Sequence, residues 1–343
     1  MVVTTKVLII RCGALGDLVY ATSVIDALKE QFGNSTIIDF VCTPNTSSLF
    51  DKDHRIRKVY KLSQKKYPIW LSSQKKEIIK ESKKIPYDIL INFEFGKQFK
   101  SLVENIQAHQ KIGALIEDIK VPLDLTHMVD ITKFMFKKII NNSIYQKSFP
   151  KLIGTDTNEV LKKYNLPQKY IIISPSNSHQ KRNILNYRAW ENKSWIQLIE
   201  QLSLKTQIVI IGNKGEEPFF NKLLPYPQGV IDLVGKTSLV DLIGVIDAAQ
   251  ALVATDTGTA HIASAVNTEV FALIGPTPAN ITGPYKTPLN KVHIISANKA
   301  CSPCYKTEVM KNCQDNICMN EISVNQVYNI VNYPHLKKWG LPN

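Results

Sequence analysis

Eight short apolar runs, rich in Val, Ile and Leu, recur along the chain and restrict its fold more than any other feature. The first three are Val7-Leu8-Ile9-Ile10, Ile37-Ile38-Asp39-Phe40-Val41 and Ile89-Leu90-Ile91. The other five are Tyr170-Ile171-Ile172-Ile173, Ile208-Val209-Ile210-Ile211, Ala251-Leu252-Val253-Ala254, Val270-Phe271-Ala272-Leu273-Ile274 and Val292-His293-Ile294-Ile295. They lack the apolar–polar alternation of a half-buried strand. Such runs suit strands covered on both faces, as in a parallel sheet sandwiched by helices. The intervening stretches have a helical period; Trp195, Leu198, Ile199 and Leu202 recur at i, i+3, i+4 and i+7. Strands alternating with helices predict doubly wound α/β domains. A polar segment, residues 141–168, carries Pro150, Gly154 and Pro167 and separates the first three runs from the last five. With 343 residues the chain is long enough for two domains with separate cores. Two such domains face one another across a cleft between the carboxyl ends of their sheets, where ligands of this class bind.

A hydrophobic fraction of 44% and a charged fraction of 21% exclude a disordered chain. No apolar run approaches the ~18–20 residues of a membrane span. The four apolar residues after Lys6 are too few for a signal-peptide core, so a cytoplasmic location is expected. The formal charge of +13 is uneven: residues 51–100 hold 14 Lys/Arg against 6 Asp/Glu. Lys65-Lys66, Lys75-Lys76 and Lys83-Lys84 lie there around Trp70-Leu71 and Ile78-Ile79. This is either a solvated helix face with its loops or a surface that meets nucleic acid, acidic headgroups or an acidic substrate. Trp and Leu beside lysines suit a shallow interfacial contact. Charge alone does not choose.

Two strand-to-helix turns carry the chemistry. The first, Arg11-Cys12-Gly13-Ala14-Leu15-Gly16-Asp17, follows the first run and precedes a helical segment over residues 18–31. Its glycines let backbone approach a ligand closely, but the spacing is not the G-x-G-x-x-G of a dinucleotide site. Asp17 reads either as a first-turn acid that complements the helix dipole or as a general base. The second turn, Asp256-Thr257-Gly258-Thr259-Ala260-His261, offers two hydroxyls and free N–H groups at a helix start, a cradle for pyrophosphate. His261 is a donor to a phosphate oxygen or a satisfied histidine near the core. Gly275-Pro276-Thr277-Pro278 forms a turn after the next strand, and Arg188, just before the Trp190/Trp195 pair, is the cation expected near a leaving phosphate. The two tryptophans read most simply as packing residues.

In this order the elements resemble glycosyltransferase family 9, the ADP-heptose:lipopolysaccharide heptosyltransferases. The resemblance runs from Val7-Leu8-Ile9-Ile10-Arg11 and Leu15-Gly16-Asp17 through Tyr87-Asp88-Ile89-Leu90-Ile91. It continues in Leu233-Val234-Gly235-Lys236-Thr237-Ser238-Leu239, the Asp256–His261 turn and Phe271-Ala272-Leu273-Ile274-Gly275-Pro276-Thr277. It implies a GT-B fold of two Rossmann-like α/β domains. Residues 1–160 would bind the acceptor. Residues 168–320, including a cysteine cluster at 301–318, would bind the nucleotide-sugar donor. A C-terminal helix and tail, 321–343, would pack back on the first domain. The implied reaction moves a heptose from ADP-heptose to the lipopolysaccharide inner core, a Kdo-lipid A acceptor; inversion is expected, and, with no Asp-x-Asp metal site read in the chain, the chemistry is expected to need no cofactor or divalent ion. Asp17 is its base. Donor contacts fall on Ser176, Arg188, Glu216 (Glu217 the near alternative), Asp256, Thr257, Gly258, Thr259 and His261. The family usually has lysine where this chain has Arg188, which keeps the charge but changes the geometry. The loop 176–186 is longer than usual. Acceptor contacts fall on Arg11, Gly16, Lys65 and Lys66, at a lipid-linked anionic substrate on the inner membrane surface. Another nucleotide sugar is the alternative within the class. A basic zinc-containing nucleic-acid-binding protein and a nicotinamide-dependent oxidoreductase are the alternatives outside it; neither carries its aromatic or glycine signature, and no nucleic-acid partner is expected.

Cys301, Cys304, Cys313 and Cys318 form C-x2-C-x8-C-x4-C. Four clustered cysteines in a cytoplasmic protein favour a structural zinc over disulfides, with reduced thiols and an iron–sulfur cluster as the other readings. Cys12 and Cys42 read as small core or turn residues.

Overall fold

Val7, Leu8, Ile9 and Ile10 are fully buried in β1 (Lys6–Ile10), as expected of a strand with helices over both faces. The computed structural model describes residues 4–63, 67–177 and 186–332. The chain divides into two compact units, Met1–Gly154 and Thr155–Asn343.

The first unit is a five-stranded parallel sheet of β1, β2 (Ile37–Cys42), β3 (Lys58–Lys61), β4 (Tyr87–Asn92) and β5 (Ala108–Gly113) in the order β3-β2-β1-β4-β5. Leu8, Ile10, Val41 and Leu90 join Ile78, Phe99 and Leu102 in its core. The second unit is a six-stranded parallel sheet of β6 (Ile171–Ser174), β7 (Ile208–Ile210), β8 (Ile231–Asp232), β9 (Ala251–Thr255), β10 (Glu269–Leu273) and β11 (Val292–Ile295), ordered β11-β10-β9-β6-β7-β8. Its core gathers strand residues with Trp190 and the Trp195, Leu198, Ile199 and Leu202 stripe of the helix Asn192–Ser203. Both sheets are doubly wound, with strand order reversing between β1 and β4 and between β6 and β9.

All eight apolar runs are strands. β3, β5 and β8 were not expected from the sequence. The expected helix over 18–31 is two, Leu15–Ala21 and Ser23–Phe32, parted at Thr22, whose hydroxyl donates to Val19 O at 2.7 Å. The helix Val324–Asn332 was expected to pack back on the first domain. Within the second unit, Val327 and Val331 of this helix join the core beside the helix Asn192–Ser203, with Val324, Tyr328 and Ile330 packed against it. Residues 333–343 lie outside the described residues.

Candidate active site

At the switch point of the first sheet, β1 and β4 run side by side with Ile10 opposite Asn92. The loops leaving their carboxyl ends therefore meet. Arg11 donates from one guanidinium nitrogen to Asp17 Oδ1 at 2.7 Å and from the other to Phe93 O at 2.7 Å; Glu94 Oε1 lies 3.9 Å away. Asp17 Oδ2 accepts the N–H of Ala14 at 2.9 Å, capping the helix Leu15–Ala21. Each oxygen of Asp17 thus has one charge-assisted or backbone partner, and its side chain keeps 34% of its exposure. Gly16 lies half-buried in the first turn of the same helix.

Glu94, which the sequence reading missed, is buried and accepts the N–H of Cys12 at 2.6 Å. Its own backbone is set by Asn92, which accepts Glu94 N–H at 3.2 Å and donates to Glu94 O and Ala114 O. One cation thus stands between two carboxylates in a half-buried loop, where weaker solvent screening strengthens their attraction. Lys65 and Lys66 lie outside the described residues. Cys12 and Cys42 are buried, and burial first of all raises both thiols, Cys42 to about 12, so they act as core residues. The sequence reading overlooked one Asp-x-Asp, Asp51-Lys52-Asp53; in the structure Arg55 occupies both oxygens of Asp53 at 2.8 and 2.6 Å.

The second switch point brings together the expected donor residues. Ser174, at the end of β6, shares a 2.9 Å hydrogen bond with Thr259 in the helix Gly258–Ala265. Asp256 follows β9 and faces Arg188 at 3.3 Å, both largely buried. The Arg188 guanidinium lies 4.6 Å over the Tyr305 ring, a contact no sequence signal announced. Thr257 caps the helix with extended backbone, Gly258 opens it, and His261 is buried within it. Arg188 Nε and Thr255 Oγ1 are buried without a hydrogen-bond partner among the described residues, the kind of unmet polar group that a bound ligand satisfies. Glu216 is buried and already holds Ser176 Oγ at 2.8 Å and Asn213 N at 2.9 Å, whereas Glu217 is exposed. Ser176 and Glu216 therefore form one unit, set where β6 and β7 end. Residues 178–185, most of the long loop, lie outside the described residues.

Trp190 and Trp195 pack edge to face, centroids 4.9 Å apart at 86°, and Trp190 Nε1 donates to Ile322 O at 2.8 Å. They are core residues. The cysteine segment sits against the turn after β10: the N–H groups of Cys304 and Tyr305 both donate to Pro276 O at 2.9 Å. A side chain at Gly275 would lie 2.8 Å from Cys318 Sγ. Burial raises the Cys318 thiol to about 11, with smaller contributions from Cys304, Cys301 and Cys313. The four are free thiols, and no group of three His, Cys, Asp or Glu among the described residues is gathered closely enough to hold a metal ion.

The model of glycosyltransferase family 9 (heptosyltransferase) matches residues 100–314. Lipopolysaccharide heptosyltransferase 3 of Escherichia coli is 24% identical over 285 residues, 76% of this chain and 81% of that protein. Among solved structures, the family 9 glycosyl transferase of Veillonella parvula superposes with a TM-score of 0.79 at 16% identity, covering 98% of this chain and 99% of that one. The ADP-heptose lipopolysaccharide heptosyltransferase II of E. coli does so with a TM-score of 0.74 at 17% identity, covering 98% and 100%. These likenesses extend over both units and give the chain the GT-B fold of two Rossmann-like domains. With its paired switch-point loops and a family match across most of its length, the chain belongs to glycosyltransferase family 9, the heptosyltransferases, and is a glycosyltransferase.

Proposed function

We propose that the enzyme moves a heptose from ADP-heptose to the lipopolysaccharide inner core, on a Kdo-lipid A type acceptor, with inversion at the sugar carbon and Asp17 as general base. The hold on Asp17 carries this reading. Arg11 and the Ala14 N–H fix the carboxylate at the end of β1 and occupy two of its roughly four lone-pair sites, leaving acceptor capacity for an incoming hydroxyl. The hydroxyl, losing its proton to Asp17, displaces the diphosphate directly through an oxocarbenium-like state. In the second unit the N-terminus of the helix Gly258–Ala265, with Asp256, Thr257, Thr259, His261 and Arg188, receives the diphosphate, while Ser176 and Glu216 serve the nucleoside side. The choice of ADP-heptose follows the similar E. coli ADP-heptose lipopolysaccharide heptosyltransferase II, and the acceptor class the similar E. coli lipopolysaccharide heptosyltransferase 3.

Acceptor contacts are assigned to Arg11, Gly16, Lys65 and Lys66. The enzyme is placed in the cytoplasm, peripheral at the inner face of the membrane; among the described residues no helix is long and apolar enough to cross it. Asp17→Asn keeps the shape and removes the base. Turnover is expected to fall ~10²–10⁴-fold while ADP-heptose still binds. Unchanged turnover, or loss of donor binding along with it, refutes the assignment.

The transfer itself is proposed to need no metal. A structural zinc on Cys301, Cys304, Cys313 and Cys318 is proposed beside it, supported by four cysteines clustered in one segment rather than by a ready-made cage among the described residues. Zinc and iron are to be measured together in protein purified without chelator. About one zinc per chain is expected, and under ~0.2 removes the proposal.

A further inference from the structure

Three large apolar side chains stand in solvent within five residues of the first unit: Tyr67 is 48% exposed, Trp70 69% and Leu71 55%. Trp70 and Leu71 form a single 3-10 turn with Ile69, which packs against the core, and Tyr67 precedes it by one residue, Pro68. The turn is held from beneath. Lys75, itself buried, donates to Tyr67 O at 2.9 Å and to Gln98 O at 3.0 Å, and Ser72 Oγ accepts the N–H of Lys75. Trp70 and Leu71 are thus presented outward by a fixed backbone. The helix that follows, Ser73–Lys84, exposes Lys76, Lys80 and Lys83 at i, i+4 and i+7. Its acids are already engaged, Glu77 by Lys58 at 3.1 Å and Glu81 by Lys84 at 2.8 Å. Lys97 and Lys100 line a depression of 720 Å³ beside Tyr67.

An outward tryptophan and leucine beside exposed lysines, one of which, Lys100, faces Glu104 at 3.9 Å, match the two layers of a bilayer surface, where amphipathic rings settle at the headgroup level and lysines meet anionic lipid. A nucleic acid would use the lysines and stack on Trp70 but gives Leu71 nothing. We propose that Tyr67, Trp70 and Leu71, with Lys76, Lys80, Lys97 and Lys100, form the surface by which the first unit docks on an anionic bilayer. The inference deepens the peripheral placement and lipid-linked acceptor proposed above, and rests on them.

Co-sedimentation with phosphatidylcholine vesicles, with and without about 30 mol% phosphatidylglycerol, tests it. The vesicles contain no sugar acceptor, so the result does not depend on which sugar is transferred or whether transfer occurs. The wild-type chain is expected to bind only the anionic vesicles, and less as salt rises. Trp70→Ala with Leu71→Ala is expected to lower partitioning about tenfold or more. Lys76→Glu with Lys80→Glu should lower it by at least about fivefold per lysine. Thermal melting of each variant confirms that it is folded. Partitioning unchanged in the folded variants overturns the proposal, as does a wild type that binds no vesicle. So does a wild type that prefers a single-stranded oligonucleotide at the same salt.

Discussion

Gly13 lies so near Asp17 that a methyl group on it would sit 2.4 Å from Oδ2 and 2.5 Å from Cβ of the carboxylate side chain. No rotamer adjustment of Gly13 itself relieves this, so Gly13→Ala must push Asp17 off Ala14 and Arg11. The expected outcome is a loss in turnover of about 10²-fold with little change in melting temperature, read by measuring both on one preparation. Glu94 offers a second residue-scale contrast. Glu94→Ala leaves the buried Cys12 N–H without its acceptor and is expected to cost about 1–3 kcal/mol in denaturant unfolding, whereas Glu94→Gln keeps an oxygen there and should cost less. Arg11, Gly13 and Asp17 were legible because seven consecutive residues contain the whole arrangement. Glu94 was not, because it reaches Cys12 across 82 positions through the pairing of β1 with β4. Tyr305 escaped for the same reason: only the folding of the cysteine segment against Pro276 carries it over Arg188.

Among the elements, most strands read from sequence are buried along most of their length, as in β1, β2, β6, β9 and β10, whereas the edge strand β11 was legible from its apolar run though only Ile295 in it is buried. β3, β5 and β8 lie at or next to a sheet edge, where one side of the ladder faces less protein; Lys58-Val59-Tyr60-Lys61 and Ala108-His109-Gln110-Lys111 are accordingly polar, and β8 is two residues long. The helix Leu239–Asp247 shows how the second unit receives the incoming chain. Thr155 N–H donates to Val240 O, Thr155 Oγ1 to Asp241 at 2.6 Å, and a side chain at Gly244 would meet Thr155 O at 2.3 Å. Gly244→Ala is therefore expected to destabilise by about 1–3 kcal/mol, measured by denaturant unfolding. Burial alone would raise the Asp241 carboxyl, but hydrogen bonds from Lys163, Thr155, Tyr164 and Ser238 prevail and hold it well below its ordinary range. Its contribution is fully present above the unfolded value near 4 and is lost as pH falls through the depressed one. Asp241→Asn should flatten the acid limb of the stability–pH curve below about pH 4 and lower the plateau above it.

For the molecule as a whole, family membership fixes the class of reaction and leaves the sugar to be measured. Ligand binding to the native state at 100 times its dissociation constant adds about 2.7 kcal/mol, on the order of 5–10 °C for a unit of this size. In a thermal panel of ADP-heptose, ADP, UDP-glucose, GDP-mannose, dTDP-rhamnose and NAD, stabilisation by ADP-heptose and ADP alone is expected. A shift with another nucleotide sugar would keep the fold and the base and replace the donor. The net charge of +13 was legible at once, but its use was not: which lysines stay unpaired and which apolar residues stand among them depends on the turn at Ile69–Leu71 and the helix after it.

Three of the four tryptophans, Trp70, Trp190 and Trp195, lie among the described residues and give the chain a built-in optical instrument. Trp190 and Trp195, buried together at 4.9 Å, are close enough for their transitions to couple, so their near-ultraviolet dichroism vanishes when the second core loosens. Trp70, standing in solvent on the first unit, is open to a collisional quencher such as iodide, and the quenching that Trp70→Phe abolishes is its own. The unlabelled chain, compared with Trp70→Phe, thereby reports the integrity of one unit and the surroundings of the other, each by its own physics.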